Sequence, residues 1–397
     1  MLEAARLDPK AFQRNRKLPF PTLIAFLLSG LTASLQSELN AFFPQLENRC
    51  DFLRTVSAQA FSKARKKFSF VVFSLLNQHL LSLVESALSV PRWHGLRVVA
   101  GDASKLQLFL RDATQRKVME AVAFALYLPG IEMSLAFQLY PPSVGERQML
   151  FEHLNHLQEN DLLVLDRGYP CNWLCAVLTQ TRRHFCMRVD HTGYACVKAF
   201  KRSGRSEQIV TLGAPNRRDC DAFGCHPEPT TVRLIRIITP NARQVILMTS
   251  LLDTTQYPAT HFADLYHSRW RVEEAFKRIK HRLNLEQLSG ISWLAAQQDF
   301  GAKMVCDNLN ALAVFCATQQ NLDLQTRQRY RINRAYAFAH LKRCLPRWLI
   351  KQSPTIDELL SVFAELAKNI FRFVQGASKP RPCHPKPHKY IAYKSIA

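Results

Sequence analysis

Asp102 in VVAGDAS, Asp166 in LLVLDRGY and Glu273 in YHSRWRVEEAFKRIK, which runs from Tyr266 to Lys280, are the acidic residues best placed to act together. Carboxylates gathered at one point can hold a hard cation. A Tyr, an Arg and a Lys beside them could hold a phosphate. Asp166 closes an apolar strand, and Asp102 lies at the end of, or just after, another; strand ends are where sites are built in open α/β sheets. Either Asp could equally be a turn former.

The third carboxylate is placed by helix geometry. With ~3.6 residues per turn, Arg269 lies at about −60°, Glu273 at about −20° and Lys280 at about −40° from Tyr266. These four side chains make one stripe, too polar for a core. Because Arg269 and Glu273 are spaced i,i+4, the stripe could also be a solvated ladder. Glu274 points elsewhere, and with Arg278 it reads as an ordinary i,i+4 contact. Trp270 reads as core.

The elements that position these residues fall into three regions. Residues 1–92 read as an all-helical head. Thr22 and Ser34 stand near possible helix starts. SAQAFSKARKKF is a short amphipathic helix with Lys63, Arg65, Lys66 and Lys67 on its polar side. Such a head suits DNA binding, or helical packing alone. Residues 93–300 change to strands, then to strands alternating with helices, which predicts a mixed sheet with helices on its faces. LRVVAGDASKLQLFL reads as strand, turn and strand. Residues 191–258, including VKAFKRSGRSEQIVTLG, read as a β-rich insertion, after which a long helix starts near Thr260. Residues 301–397 read as helical, with a Pro-rich basic tail from Ser378.

Composition sets the partner class. The chain has 397 residues, Lys+Arg 53, Asp+Glu 31 and a formal charge of +22. So large an excess points to a polyanion, with nucleic acid ahead of an anionic membrane surface. The apolar run in RNRKLPFPTLIAFLLSGLTASLQ is broken by Pro19, Pro21, Ser29 and Gly30. It is shorter than the ~20 residues of a membrane span, so it predicts a buried helix, and no membrane association is expected. The 11 Cys show no pairing grid and suit a reducing cytoplasm. Cys220, Cys225 and His226 hint at a metal clip without matching a zinc pattern.

Y-x2-R-x3-E-x6-K, present as Tyr266, Arg269, Glu273 and Lys280, resembles the Y-R-E-K signature of bacterial transposases of the insertion sequence four family. Asp166 in D-R-G-Y and Asp102 in a G-D-x-S turn also look like that family. The resemblance runs from about 95 to 315. It implies an RNase H-like catalytic domain, interrupted by the β-rich insertion, with a DDE triad of Asp102, Asp166 and Glu273. It implies two Mg²⁺ ions, for which Mn²⁺ would substitute, with Asp102 bridging them and Asp166 and Glu273 each holding one. Arg269, Lys280 and Arg167 would hold DNA phosphates, and Tyr266 would bond a phosphate or stack on a base. Lys63, Arg65, Lys66 and Lys67 would contact DNA from the head.

The implied activity is binding of the element's terminal inverted repeats, hydrolytic cleavage, and joining of 3′-hydroxyls to target DNA. A homodimer would pair the ends, in a bacterial cytoplasm close to the nucleoid. Another RNase H-like endonuclease, or a non-catalytic DNA-binding descendant, is the alternative. Some members stabilise a flipped base with a Trp from the insertion. Here Trp93, Trp173, Trp270, Trp293 and Trp348 all lie outside 191–258, so either Phe223, Tyr194 or Tyr257 substitutes, or the DNA hairpin step of those members is absent or different.

Overall fold

The amino-terminal apolar runs fold into helices α1 (Leu2–Ala5), α2 (Phe20–Leu28), α3 (Leu35–Gln45), α4 (Ala58–Arg65) and α5 (Val71–Ala87). The computed structural model describes residues 2–14, 16–111, 115–189, 193–238, 244–321 and 330–372; the basic tail from Ser378 lies outside them. Ser34 caps α3 by accepting from the Ser37 N–H, as its position predicts. Thr22 does not cap; it is buried inside α2, which starts behind Pro19, a residue with no N–H to lose. The run around α2 is the buried helix expected. No helix among the described residues is long and apolar enough to cross a membrane.

Next come β1 (Arg97–Arg111), β2 (Arg116–Leu128), β3 (Met133–Tyr140), α6 (Glu146–Glu152), β4 (Asp161–Leu165), α7 (Asn172–Gln180) and β5 (His184–Arg188). They are followed by α8 (Ala195–Ser203), β6 (Glu207–Leu212), α9 (Arg217–Phe223), β7 (Thr230–Ile238) and β8 (Gln244–Thr249). These strands make one mixed eight-stranded sheet in the order β3-β2-β1-β4-β5-β8-β7-β6. β1, β4 and β5 are parallel neighbours, and the other pairings are antiparallel.

Two readings of this region need correction. LRVVAGDASKLQLFL holds no turn. β2 pairs with β1 from Ala100↔Tyr127 to Arg111↔Arg116, so the backbone of Gly101 and Asp102 is held in a continuous ladder. Asp102 therefore sits inside a 15-residue strand. The region 191–258 is β-rich, but its strands do not stand apart: β8 bonds directly to β5 and extends the sheet. Val197–Ser203, read as strand, lies in the helix α8.

The chain ends in α10 (Phe262–Ser268), α11 (Trp270–Arg282), α12 (Trp293–Gln319), β9 (Tyr330–Ile332), α13 (Arg334–Ile350), α14 (Ile356–Lys368) and β10 (Ile370–Arg372). Residue 300, the expected boundary, falls inside α12. On one sheet face Ala100, Leu106 and Leu108 share a core with the head helices and with Val272, Phe276 and Ile279 of α11. Leu162 and Val164 pack there against Phe262, Leu265 and Tyr266 of α10. On the other face Val99, Leu163 and Leu165 pack against α6 and α7.

Candidate active site

Strand alternation decides where the two aspartates point. Side chains two residues apart share a face. Ala100 lies in the core beside α11, so Asp102 faces α11. Val164 lies against α10, so Asp166 faces the same side. Ala100 pairs with Val164 in parallel register, the last pair of that ladder; Asp102 lies two residues further along β1 and Asp166 two residues further along the chain, just past β4. β4 has ended at Leu165, and the Asp166 carboxylate accepts the Gly168 N–H at 2.8 Å. This is an Asx turn that reverses the chain. Gly101 lets β1 lie close at this point, since a Cβ there would meet Leu165 at 2.8 Å.

Glu273 reaches the aspartates from the helix pair above. The long helix expected from Thr260 is two helices, α10 and α11, meeting at Arg269. Tighter i→i−3 bonds, Arg269 N–H to Tyr266 O and Val272 N–H to Arg269 O, each 3.2 Å, mark the junction. The stripe survives it. Arg269 donates to Glu273 Oε1 at 2.7 Å, and its guanidinium lies 5.6 Å from the Tyr266 ring centre and 5.8 Å from that of Trp270. The pair is the expected i,i+4 contact, but Arg269 is only 5% exposed, so it is no solvated ladder.

The electrostatics tie these residues together. Burial is the largest cause of a raised proton affinity at Asp102; Arg269 opposes it, Glu273 and Asp166 add to it, and the carboxyl is pushed up to about 7. Burial works against the charge on Arg269, yet Tyr266, Glu273 and Asp102 more than offset it and raise its affinity for the proton. Burial also pushes Tyr266 up to about 12.

An all-carboxylate donor set with one proton held so high fits a hard divalent cation, which would replace that proton. The set is not closed in this conformation. Among the described residues no three His, Cys, Asp or Glu side chains are gathered tightly enough to hold a metal ion, and Glu273 is committed to Arg269.

The other predicted residues divide. Lys280 Nζ donates to the Lys105 carbonyl at 2.6 Å, which ties it to β1 three residues beyond Asp102. Arg167 is exposed on the turn after Asp166, and Lys63, Lys66 and Lys67 are exposed on and just after α4. Arg65 is not on that polar face. It is 4% exposed and donates to Asp299 at 2.8 Å, Gln298 at 2.8 Å, Ser289 at 2.6 Å and the Ala295 carbonyl at 2.9 Å. Tyr266, 4% exposed, supports Arg269 and offers no face to a base. Trp270, expected in the core, is 46% exposed.

Arg278 bonds Asp307 at 3.1 and 2.9 Å instead of Glu274, which is exposed. The substitute aromatics are already engaged: Phe223 stacks on Trp173 at 3.7 Å and Tyr257 on Trp93 at 5.8 Å, while Tyr194 packs against the α6–α7 core. Cys220 and Cys225 are buried free thiols, and His226 is exposed.

The sequence reading missed two residues in the same corner. Tyr169 is 0% exposed and feels the charges of Glu146, Asp102, Asp166 and Arg269. Glu146 feels Asp166. Tyr169 lies within the quoted D-R-G-Y string and could have been weighed. Glu146 carries no local signal, because α6 brings it to the site from another part of the chain.

With this geometry in view, similarity to known proteins can be placed. A family model described as "Transposase DDE domain" matches residues 95–309. The transposase InsG for insertion sequence element IS4, from Escherichia coli (strain K12), is 22% identical over 300 residues, which are 70% of this chain and 65% of that protein. The transposase for insertion sequence element IS421, from Escherichia coli, is 33% identical over 122 residues, 26% of this chain and 33% of that one. The chain thus spans less than two thirds of the length of either relative. Among solved structures, the piggyBac transposase synaptic complex with hairpin DNA is similar at 9% identity and a TM-score of 0.43, covering 91% of this chain and 79% of that one.

Proposed function

Because the chain belongs to the DDE transposase family, and within it to the insertion sequence four group, we propose that it binds the terminal inverted repeats of its own insertion sequence, cuts them by metal-dependent hydrolysis and joins the freed 3′-hydroxyls to target DNA. The observation that carries this reading is that Asp102, inside β1, and Asp166, just past the end of the parallel neighbour β4, lie close enough for their charges to act on one another, beneath a helix whose Glu273 and Arg269 also act on Asp102. An RNase H-like core is the fold we assign. The order β3-β2-β1-β4-β5, with only β2 running against the others, supports it.

Asp102, Asp166 and Glu273 would hold the metal. The chemistry supplied by Mg²⁺, or by Mn²⁺ in its place, is Lewis acidity at the attacking and leaving oxygens of the phosphodiester. The chain's own residues place the DNA. Arg269 serves Glu273 in the resting protein and turns to a backbone phosphate when DNA arrives, where its fork bonds two oxygens. Lys280 and Arg167 neutralise phosphates on either side. Tyr266 holds Arg269 against the site. Lys63, Lys66 and Lys67 contact DNA from the head, and a homodimer pairs the two ends in the bacterial cytoplasm. Phosphate contacts of this kind make affinity fall steeply with salt.

Mg²⁺-dependent nicking of duplexes carrying the terminal repeats tests the assignment. Glu273→Gln is expected to bind DNA but cut at least 100-fold more slowly, on the order of 3 kcal/mol of barrier, while Glu274→Gln cuts like wild type. Equal cutting by all three proteins would remove Glu273 from the site.

A further inference from the structure

Glu146 has no hydrogen bond or ion pair among the described residues, although it stands in a protein rich in Lys and Arg. The nearest cation in charge reach, Lys105, is paired with Glu120 at 3.0 Å. The next residue, Arg147, clamps α6 onto the turn that follows Asp166, donating to the Gly168 carbonyl at 3.0 Å and the Pro170 carbonyl at 3.3 Å. That clamp sets Glu146 across Gly168 from Asp166. From the point where a Gly168 Cβ would stand, Asp166 Oδ1 is 3.2 Å away and Glu146 Oε2 is 3.7 Å away.

A second observation points into the same corner. The Tyr169 hydroxyl is buried and has no hydrogen-bond partner among the described residues, while its side chain is 0% exposed. A buried hydroxyl left unsatisfied is costly. The charges it feels are those of Glu146, Asp102 and Asp166, with Arg269 opposite. A phenol that deep stays protonated and can only gain by donating to an oxygen in this cluster.

We propose that Glu146 is a fourth carboxylate of the metal centre and that Tyr169 is its positioning residue, its unpartnered hydroxyl donating a hydrogen bond to the carboxylate cluster when the centre is loaded. The inference rests on the metal-dependent reading above. The competing account makes Glu146 an acidic residue in the first turn of α6, stabilising that helix end and nothing more.

Binding of Mn²⁺ to the full chain without DNA, followed by electron paramagnetic resonance, separates the accounts. Glu146→Gln and Tyr169→Phe are each expected to weaken Mn²⁺ binding about tenfold or more, since removing groups that support a metal centre typically costs about 10–100-fold in affinity. Neither variant should melt below wild type, and Glu146→Asp should recover part of the lost Mn²⁺ affinity. A lowered melting temperature with wild-type Mn²⁺ affinity for Glu146→Gln overturns the proposal in favour of the helix-end role. Asp166→Asn is the reference. If it loses Mn²⁺ while Glu146→Gln does not, the fourth carboxylate fails alone; if Asp166→Asn also binds like wild type, the metal-dependent reading fails with it. Should Tyr169→Phe not fold, the comparison of Glu146→Gln with Glu146→Asp decides.

Discussion

Asp102 carries a charge that folding resists. Its folded value of about 7 lies above the ~3.9 of an unfolded aspartate. The folded chain thus holds that proton more tightly, and the stability tied to it is complete below pH ~4 and lost as pH rises through about 7. Asp102→Asn removes the charge. In chelator at pH 8 the variant should be more stable than wild type by roughly 2–4 kcal/mol, with the gap narrowing by pH 5 and closing near pH 4. Thermal melts across that range check it, and parallel curves for the two proteins would mean that the charge costs nothing. Added Mn²⁺ should stabilise wild type and not the variant, because a ligand that binds only the folded state raises its stability.

At the scale of elements, what could be read from sequence depended on how local the signal was. The position of Asp166 just past a strand end and the helical stripe that pairs Glu273 with Arg269 are legible, because each is written within a few neighbouring residues. The turn expected at Asp102 is a strand instead, since pairing with β2 keeps that segment straight. Arg65 is indistinguishable from Lys63, Lys66 and Lys67 until α12 arrives with Asp299 and Gln298 to take it inward. Glu146 is invisible for the same reason: its neighbours come from β4 and the turn beyond. The Arg65 assignment has a measurable consequence. Arg65→Ala strands the buried Asp299 carboxylate and should cost about 3–5 kcal/mol in urea unfolding, whereas Lys63→Ala should stay within ~0.5 kcal/mol. DNA affinity per folded molecule should respond the other way, falling for Lys63→Ala and unchanged for Arg65→Ala.

For the whole molecule, the question is whether the basic head is a detachable DNA reader. Its core argues against it. Leu23, Phe26, Phe61 and Phe73 from the head share one apolar cluster with Ala121 and Ala123 of the sheet, Phe276 of α11 and Phe300 of α12. Polar contacts cross the same boundary. Asn77 donates to the Ser134 and Leu135 carbonyls at 3.0 and 3.1 Å, and Gln298 donates to the Arg65 and Phe68 carbonyls at 2.9 and 2.7 Å. The fit is close, since a Cβ on Gly301 of α12 would stand 2.8 Å from that of Phe73. A fragment ending at residue 92 would leave the apolar side of α5 facing water and Arg65 without Asp299. Small cores rarely survive such a loss. The fragment should therefore show no cooperative thermal transition by circular dichroism and narrow amide dispersion by NMR. The full chain should melt in one transition monitored at both head and sheet. A well-dispersed, cooperatively melting fragment would make the head a domain of its own, and DNA end recognition could then be assigned to it alone. An unfolded one makes the head helices that carry Lys63, Lys66 and Lys67 part of the same cooperative structure that positions Asp102 and Glu273.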